Sequence, residues 1–433
     1  MYAGELAKLI RCETVSEYGQ TDKTKFREFH KLLKETFPNV FNTCTVEDFD
    51  GSLLIKWQGK GEKKPVLFMN HHDVVSAEGA WEHEPFSGDI ENGAVWGRGT
   101  VDTKSGLFCM LKAAEELISE GYVPEGDVYF ESACTEETDG SGAEKICDEL
   151  YRRGIQFEYS LDEGGLIVYD PIGGADGFFA MIATEEKGCL EIKFTARSEG
   201  GHAARPGKNT PLVRLGKFMT EAERKNSKLF PAKCGETLQE MLRRMSLKMN
   251  GVLKPVMKSS KVLAPLLKVL LPVVSGNAGS MMRTTLAFTM AQGSEAPNVL
   301  PTEAFVMGNM RFSSHQGKAK SLEVVDKICK KYDIEMEITF DSVEPKSGSY
   351  KAESFKLMER ALKETYPDVI ACPYVATTAS DNRYMGKVAD ACYGFSPLRV
   401  SDQQLDSIHG LNENVDAKTL PTAVDFYKFM MKG

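Results

Sequence analysis

The run Pro65-Val66-Leu67-Phe68-Met69-Asn70-His71-His72-Asp73-Val74-Val75 passes from four apolar residues to a histidine pair and an acid. A short apolar run bounded by polar residues reads as a buried strand. On both sides of it the text alternates in kind. Helical spacing from Lys104 to Glu120 is followed by an apolar run from Asp127 to Ala133, a helical stretch from Glu144 to Arg152 and a second run from Phe157 to Leu161. Strands alternating with helices predict an α/β unit, a mixed and mostly parallel sheet flanked by helices. In such sheets ligands collect outside the carboxyl ends of the strands, so residues just after each apolar run are the ones to inspect for chemistry.

After residue 187 the pattern changes. Leu190, Ile192 and Phe194 alternate with polar neighbours, a helix is expected from Leu212 to Arg224, and strands from Thr284 to Met290 and Ala304 to Phe312. A helix from Lys318 to Tyr332 then leads into Ile334, Met336, Ile338 and Phe340 at period two. Period-two strands with two helices describe an α+β unit covered on one face. The expected organisation is therefore a catalytic domain of residues 1–187 and 343–433 with an inserted lid of residues 188–342. Within the lid a helical insertion is read at about 230–280, rich in Met, Lys and Leu. Its greasiest part, Val262 to Val274, contains Pro265, Lys268 and Pro272 and falls short of the roughly 20 apolar residues needed to span a bilayer. It is expected to cover something, and no membrane span is expected.

Composition bounds the function. The chain has 433 residues, 42% hydrophobic and 27% charged, with 38 Gly and 18 Pro, which excludes disorder, collagen-like repeats and small disulfide scaffolds. Lys and Arg number 53 against 62 Asp and Glu, a net charge of −9 with no basic run interleaved with aromatics, so no nucleic-acid partner is expected. The ten cysteines form no CxxC pair and read as buried thiols. Residues 1–10 lack the apolar run of about 7–15 residues of a secretion signal. A cytoplasmic location is the expectation from these two features.

Five clusters carry the chemistry. His71 follows the first strand, and Asp73, with the same side-chain parity, can take the hydrogen on its far ring nitrogen. Asp102, in Trp96-Gly97-Arg98-Gly99-Thr100-Val101-Asp102-Thr103-Lys104, stands where a helix begins, either as an N-cap or as a ligand. Glu136 and Glu137, in Cys134-Thr135-Glu136-Glu137, follow the run Val128 to Ala133; one could bind a cation while the other moves a proton. Asp162 and Glu163 end the next run, in Leu161-Asp162-Glu163-Gly164-Gly165, and His409 stands in Ile408-His409-Gly410-Leu411-Asn412-Glu413. Two histidines and several carboxylates at strand ends suit two divalent cations with mixed N and O ligands, best Zn2+. No HExxH and no GxSxG occurs, and Gly140-Ser141-Gly142-Ala143-Glu144-Lys145 matches no phosphate-binding loop.

In their order and spacing these motifs, with Gly200-Gly201-His202-Ala203-Ala204-Arg205-Pro206, the Asn298 to Phe312 stretch and Ser380-Asp381-Asn382-Arg383, resemble the aminoacylase/carboxypeptidase family of dizinc metallopeptidases, metallopeptidase family twenty. The resemblance implies two Zn2+, with Co2+ or Mn2+ able to substitute. It implies His71, Asp102, Glu137, His409 and an acid of Asp162-Glu163 as metal ligands, Glu163 favoured and both kept. Asp73 orients His71, and Glu136 is the general base for a metal-bridged hydroxide. His202 resembles the lid histidine that in dimeric relatives reaches the partner's site, which implies a homodimer through the lid. Asn298 and Arg311 resemble substrate-holding residues, Arg311 as the partner of a free carboxylate. Thr103 departs from an acid in many relatives, and Ala379-Ser380-Asp381-Asn382-Arg383 is a loosened form of their TDSR segment.

The long insertion resembles the subgroup of Gly-X carboxypeptidase and N-fatty-acyl-amino-acid hydrolase. The function implied is zinc-dependent hydrolysis of an amide or peptide bond next to a free-carboxylate amino acid, with a peptide or N-acyl amino acid as substrate. A dipeptidase, an aminoacylase or a non-catalytic ligand-binding member are the alternatives.

Overall fold

The computed structural model of the chain describes residues 1–433. Its larger sheet has nine strands, ordered Thr45–Phe49, Ser52–Trp57, Val128–Ser132, Val66–Met69, Ser160–Asp162, Cys392–Gly394, Phe178–Glu186 and Val369–Ala376, with Ile167–Tyr169 paired to Phe178–Glu186. Val66–Met69 runs parallel to Val128–Ser132 and Ser160–Asp162, and Cys392–Gly394 runs parallel to Ser160–Asp162. Antiparallel pairs lie at one end and again where Phe178–Glu186 meets Cys392–Gly394 and Ile167–Tyr169, so the sheet is mixed with a parallel centre, as the alternating text predicts.

This register positions the site. Met69 pairs opposite Glu131, and Phe68 opposite Leu161, so three parallel strands end level with one another. The residues that follow them, His71, Glu136 and Glu163, therefore emerge on one edge. The strand interiors are buried among Leu67, Phe68, Phe130 and Leu161, and the helices Lys104–Ser119 and Thr419–Lys432 cover a face through Phe108, Leu111, Phe426 and Tyr427. Phe68 meets Tyr159 and Tyr427 edge-on, at centroid distances of 6.3 and 5.8 Å.

The smaller sheet is antiparallel, in the order Thr285–Gln292, Glu303–Phe312, Gly188–Arg197 and Glu335–Asp341. In Glu303–Phe312 the burial alternates strictly, with Ala304, Val306, Met310 and Phe312 facing the helices Pro211–Arg224 and Gly317–Lys331. The odd positions Asn309 and Arg311 consequently face away from that core. Gly308 is obligatory in this packing, since a Cβ there would lie 2.8 Å from the Phe194 ring.

The helical insertion is present as Glu236–Met245, Leu253–Lys258, Ser260–Val274 and Gly276–Met281, joined by a short 3-10 turn. These helices do not add to the small-sheet core. Leu238, Met241, Leu242 and Met245 recur at helical spacing and bury themselves in the core of the larger domain, as do Met257, Leu267 and Leu271. Arg244 fixes the docking by donating to the Ala371 carbonyl at 2.8 Å. The expectation of an insertion belonging to the lid thus differs from the packing: its apolar stripe matches the uncovered side of the strand Val369–Ala376. No helix of the chain is long and apolar enough to cross a membrane.

Candidate active site

His71, Asp102 and Glu137 offer three ligand atoms that all lie within 4.8 Å of one another. His71 Nε2 is 3.0 Å from Asp102 Oδ1, while His409 Nε2 is 3.2 Å from Asp102 Oδ2 and 3.1 Å from Glu137 Oε2. Each Asp102 oxygen therefore faces a different imidazole. A neutral imidazole nitrogen and a carboxylate oxygen facing each other at such distances need a proton or a cation between them.

Asp102 reaches this position although a helix starts beside it. The cap of Lys104–Ser119 is Thr103, and the Asp102 side chain makes no capping bond. The loop before it is held by Glu413, which is fully buried and accepts hydrogen bonds from Arg98, Gly99, Val101 and Asp102 at 2.7–3.1 Å. His409 and Asn412, just before Glu413, adopt left-handed backbone with φ of 58° and 60°, a conformation that non-glycine residues keep only under local constraint.

Asp73 organises the opposite side. Its two carboxylate oxygens accept from the backbone N–H groups of Glu136 and Glu137 at 3.2 and 3.1 Å, and one also accepts from Ser16 Oγ at 2.6 Å. The nearest acceptor to His71 Nδ1 is the Asp73 main-chain carbonyl at 2.9 Å, with the carboxylate at 3.4 Å. Asp73 thus orients the ring through its backbone as well as its side chain, which the parity argument does not anticipate.

Electrostatics mark the cluster as short of positive charge. Burial raises the Glu163 carboxyl well above its usual range, and the charges of Asp102, Asp162 and Glu136 raise it further. Burial likewise pushes up Glu136 against the pull of His71, and Glu137 against its hydrogen bond with His409. Hydrogen bonds to Asp102 and Glu137 lift His409 to about 10. Such a set of buried acids around two imidazoles, with His71, Asp102 and Glu137 converging, fits divalent cations with N and O donors.

Of Asp162 and Glu163, the first is fully engaged. Asp162 Oδ1 accepts from the Glu163 amide at 2.8 Å and Oδ2 from the Asn382 amide at 2.9 Å, whereas Glu163 lines the cavity.

That cavity measures about 920 Å³ and is bounded by Asp102, Glu136, Glu137, Glu163 and His409 on one side. Asn309 and Arg311 enter from the open face of the small sheet, Arg311 Nε donating to Asn309 Oδ1 at 3.1 Å. The insertion adds an apolar stretch of wall through Leu238, Met241, Met257 and Leu271, beside Leu166, Val168 and Met181 of the larger domain.

His202 and Asn298 are not in this lining. They sit on an exposed two-stranded ribbon, His202 opposite Val299 and the Ala203 amide donating to the Asn298 carbonyl. Gly140, flagged beside the weak phosphate-loop match, instead takes φ +68° where any Cβ would lie 2.2 Å from Arg383. Sequence reading gave no role to Asn309 or Tyr374 and met Arg383 only as the end of the Ala379–Arg383 segment, yet all three line the cavity. Asn309 shares the parity of Arg311 on one strand, the one signal that points to it.

The comparisons bear on this geometry. The family model described as Peptidase family M20/M25/M40 matches residues 67–433. The chain belongs to this peptidase family. Among curated relatives it is 29% identical to the N-fatty-acyl-amino acid synthase/hydrolase PM20D1 of Xenopus tropicalis, covering 96% of this chain and 83% of that protein. It is 28% identical to the probable carboxypeptidase S-like 2 of Dictyostelium discoideum, covering 100% and 84%. The M20 family metallo-carboxypeptidase Sso-CP2 from Sulfolobus solfataricus shares the fold, with a TM-score of 0.74 at 17% identity over 100% of this chain and 98% of that one. This member of the M20 family is accordingly a hydrolase.

Proposed function

We propose that this M20 hydrolase cleaves the amide bond between an apolar acyl or aminoacyl group and an amino acid with a free α-carboxylate, using two Zn2+. The observation that carries the reading is a single cavity shared by three kinds of wall: the acids and imidazole Asp102, Glu137 and His409 with His71 buried behind them, the Arg311 guanidinium and the apolar insertion. In this reading residues 1–187 and 343–433 supply the chemistry, and residues 188–342 the carboxylate anchor and the fit.

His71, Asp102 and Glu163 would hold one ion, and Asp102, Glu137 and His409 the other. Asp102 would be the ligand common to both, since its two oxygens face different histidines. When bound, the ions supply Lewis acidity that polarises the scissile carbonyl and lowers the pKa of a water. Glu136 accepts the proton of the attacking water at its carboxylate and returns it to the leaving nitrogen. Asp73 keeps Glu136 and Glu137 in register by holding their amides. Arg311, steadied by Asn309, pairs with the free carboxylate and so selects bonds at the carboxyl end of a substrate.

The test is a panel of N-acyl amino acids and dipeptides with free or amidated carboxyl ends, assayed by amine release with and without a chelator. Cleavage is expected to be chelator-sensitive, confined to free carboxylates, and to rise in kcat/KM with acyl chain length. Arg311→Ala is expected to raise KM by about 10-fold or more, the loss of one charge-assisted contact. A flat chain-length profile removes the apolar wall from the reading, and release from amidated substrates removes Arg311.

A homodimer belongs to the same reading. His202 is exposed and outside the cavity of its own chain, so it would act on a partner's site. Mixing Glu136→Gln with His202→Ala subunits is then expected to restore part of the activity that each variant lacks alone. No recovery on mixing counts against the exchange.

A further inference from the structure

The helix Ser260–Val274 buries Leu267 and Leu271 on one side and leaves a continuous apolar stripe on the other. Val262, Leu266, Val269, Leu270 and Val273 are 80, 56, 64, 47 and 81% exposed. At about 100° per residue these five positions share one face. Val252, in the preceding turn, is 82% exposed. Exposed apolar residues in such number on one element mark an interaction surface.

Charge indicates what covers it. Between Glu240 and Glu295 the chain has no acidic residue and eight basic ones, Arg243, Arg244, Lys248, Lys254, Lys258, Lys261, Lys268 and Arg283, in a protein of net charge −9. Lys254, Lys258, Lys261 and Lys268 are exposed, and none of them forms an ion pair. Arg243 and Arg244, by contrast, are paired with Glu240. A second copy of this acidic chain would have to meet the same unpaired lysines with its own. An apolar stripe with unpaired lysines and no acid is the pattern of a helix that lies in a lipid headgroup layer, apolar side down.

The stripe also runs to the site. Val274, next to Val273, is both 66% exposed and part of the cavity lining, and Leu271 lines the cavity from the buried side of the same helix.

We infer that the helix Ser260–Val274 docks the protein on an anionic bilayer surface, with Val262, Leu266, Val269 and Val273 inserted and Lys254, Lys258, Lys261 and Lys268 against the headgroups, so that an apolar acyl chain enters the cavity from the membrane. The docking stands on the exposed face alone; the delivery of an acyl chain rests on the function proposed above.

The experiment is flotation of the full chain with vesicles of phosphatidylcholine alone or with about one-third phosphatidylglycerol. Partition onto the anionic vesicles is expected to exceed that onto phosphatidylcholine by about 10-fold or more and to fall at high salt. The variant carrying Val262→Ser, Leu266→Ser, Val269→Ser and Val273→Ser should lose binding to both. The variant carrying Lys254→Gln, Lys258→Gln, Lys261→Gln and Lys268→Gln should lose the anionic preference. Both are checked for an unchanged thermal midpoint and unchanged hydrolysis of a short, water-soluble substrate.

The inference is overturned if the wild type does not float, or if the serine variant floats as well as the wild type. A wild type that sediments as a dimer and a serine variant that sediments as a monomer, neither of them floating, would assign the face to a second copy instead. Flotation without any hydrolysis of long-chain N-acyl amino acids strikes the proposed function and leaves the docking face. Hydrolysis without flotation does the reverse.

Discussion

Glu136→Gln is expected to lower kcat by about 10²–10⁴ while the bound metal stays at the wild-type level, because removing a general base slows proton transfer without removing a ligand. The geometry separates this residue from its neighbour. Glu137 lies 3.1 Å from His409 and within the compact ligand group, whereas Glu136 Oε2 is 3.9 Å from His71 Nε2 and outside that group. Its backbone amide is held by Asp73, which sets where the chain presents Glu136 at the cavity wall. Gln preserves the shape and removes the basic oxygen. Metal content by elemental analysis, read beside single-turnover rates, decides the matter. A variant that loses metal together with activity makes Glu136 a ligand, and one that keeps most of its activity leaves the base elsewhere.

Glu413→Ala should destabilise the metal-free protein by about 3–5 kcal/mol, the cost of leaving a buried charge without its partner. Glu413 is 0% and Arg98 3% exposed, and they pair at 2.9 Å. The same carboxylate satisfies three backbone amides of the loop that presents Asp102, and each would be left unpaired in the interior. Denaturant midpoints measure the effect. Combining Glu413→Leu with Arg98→Met should recover the share due to the stranded guanidinium but not the share due to the amides. Metal affinity should also fall in Glu413→Ala, since Asp102 loses its support. A shift below about 1 kcal/mol would mean that water replaces these contacts freely.

Much of the site was legible because of one rule of sheet architecture. His71, Glu136 and Glu163 each follow an apolar run, and parallel strands in register bring such positions to one edge. Arg311 came from the resemblance alone, and the strict alternation of burial along Glu303–Phe312 shows it on the face opposite Val306 and Met310. Other features leave no local trace. Glu413 contacts residues more than 300 positions away, a distance over which no periodicity speaks. Asp162 and Glu163 are adjacent acids, and only the amides of Glu163 and Asn382 distinguish the engaged one from the free one. The insertion was legible as helical from its Met, Lys and Leu content but its partner was not, since an apolar stripe fits any apolar face. His202 and Asn298 share a ribbon that the order of motifs along the chain did not locate.

The insertion's part of the cavity wall comes from a stretch of chain, residues 236–281, that supplies none of the acids or imidazoles at the other end. Under the function proposed above, drift within residues 236–281 would alter which molecules are accepted while Glu136 and the proposed metal ligands stay under their own constraints. A lineage carrying this arrangement can change diet without relearning chemistry.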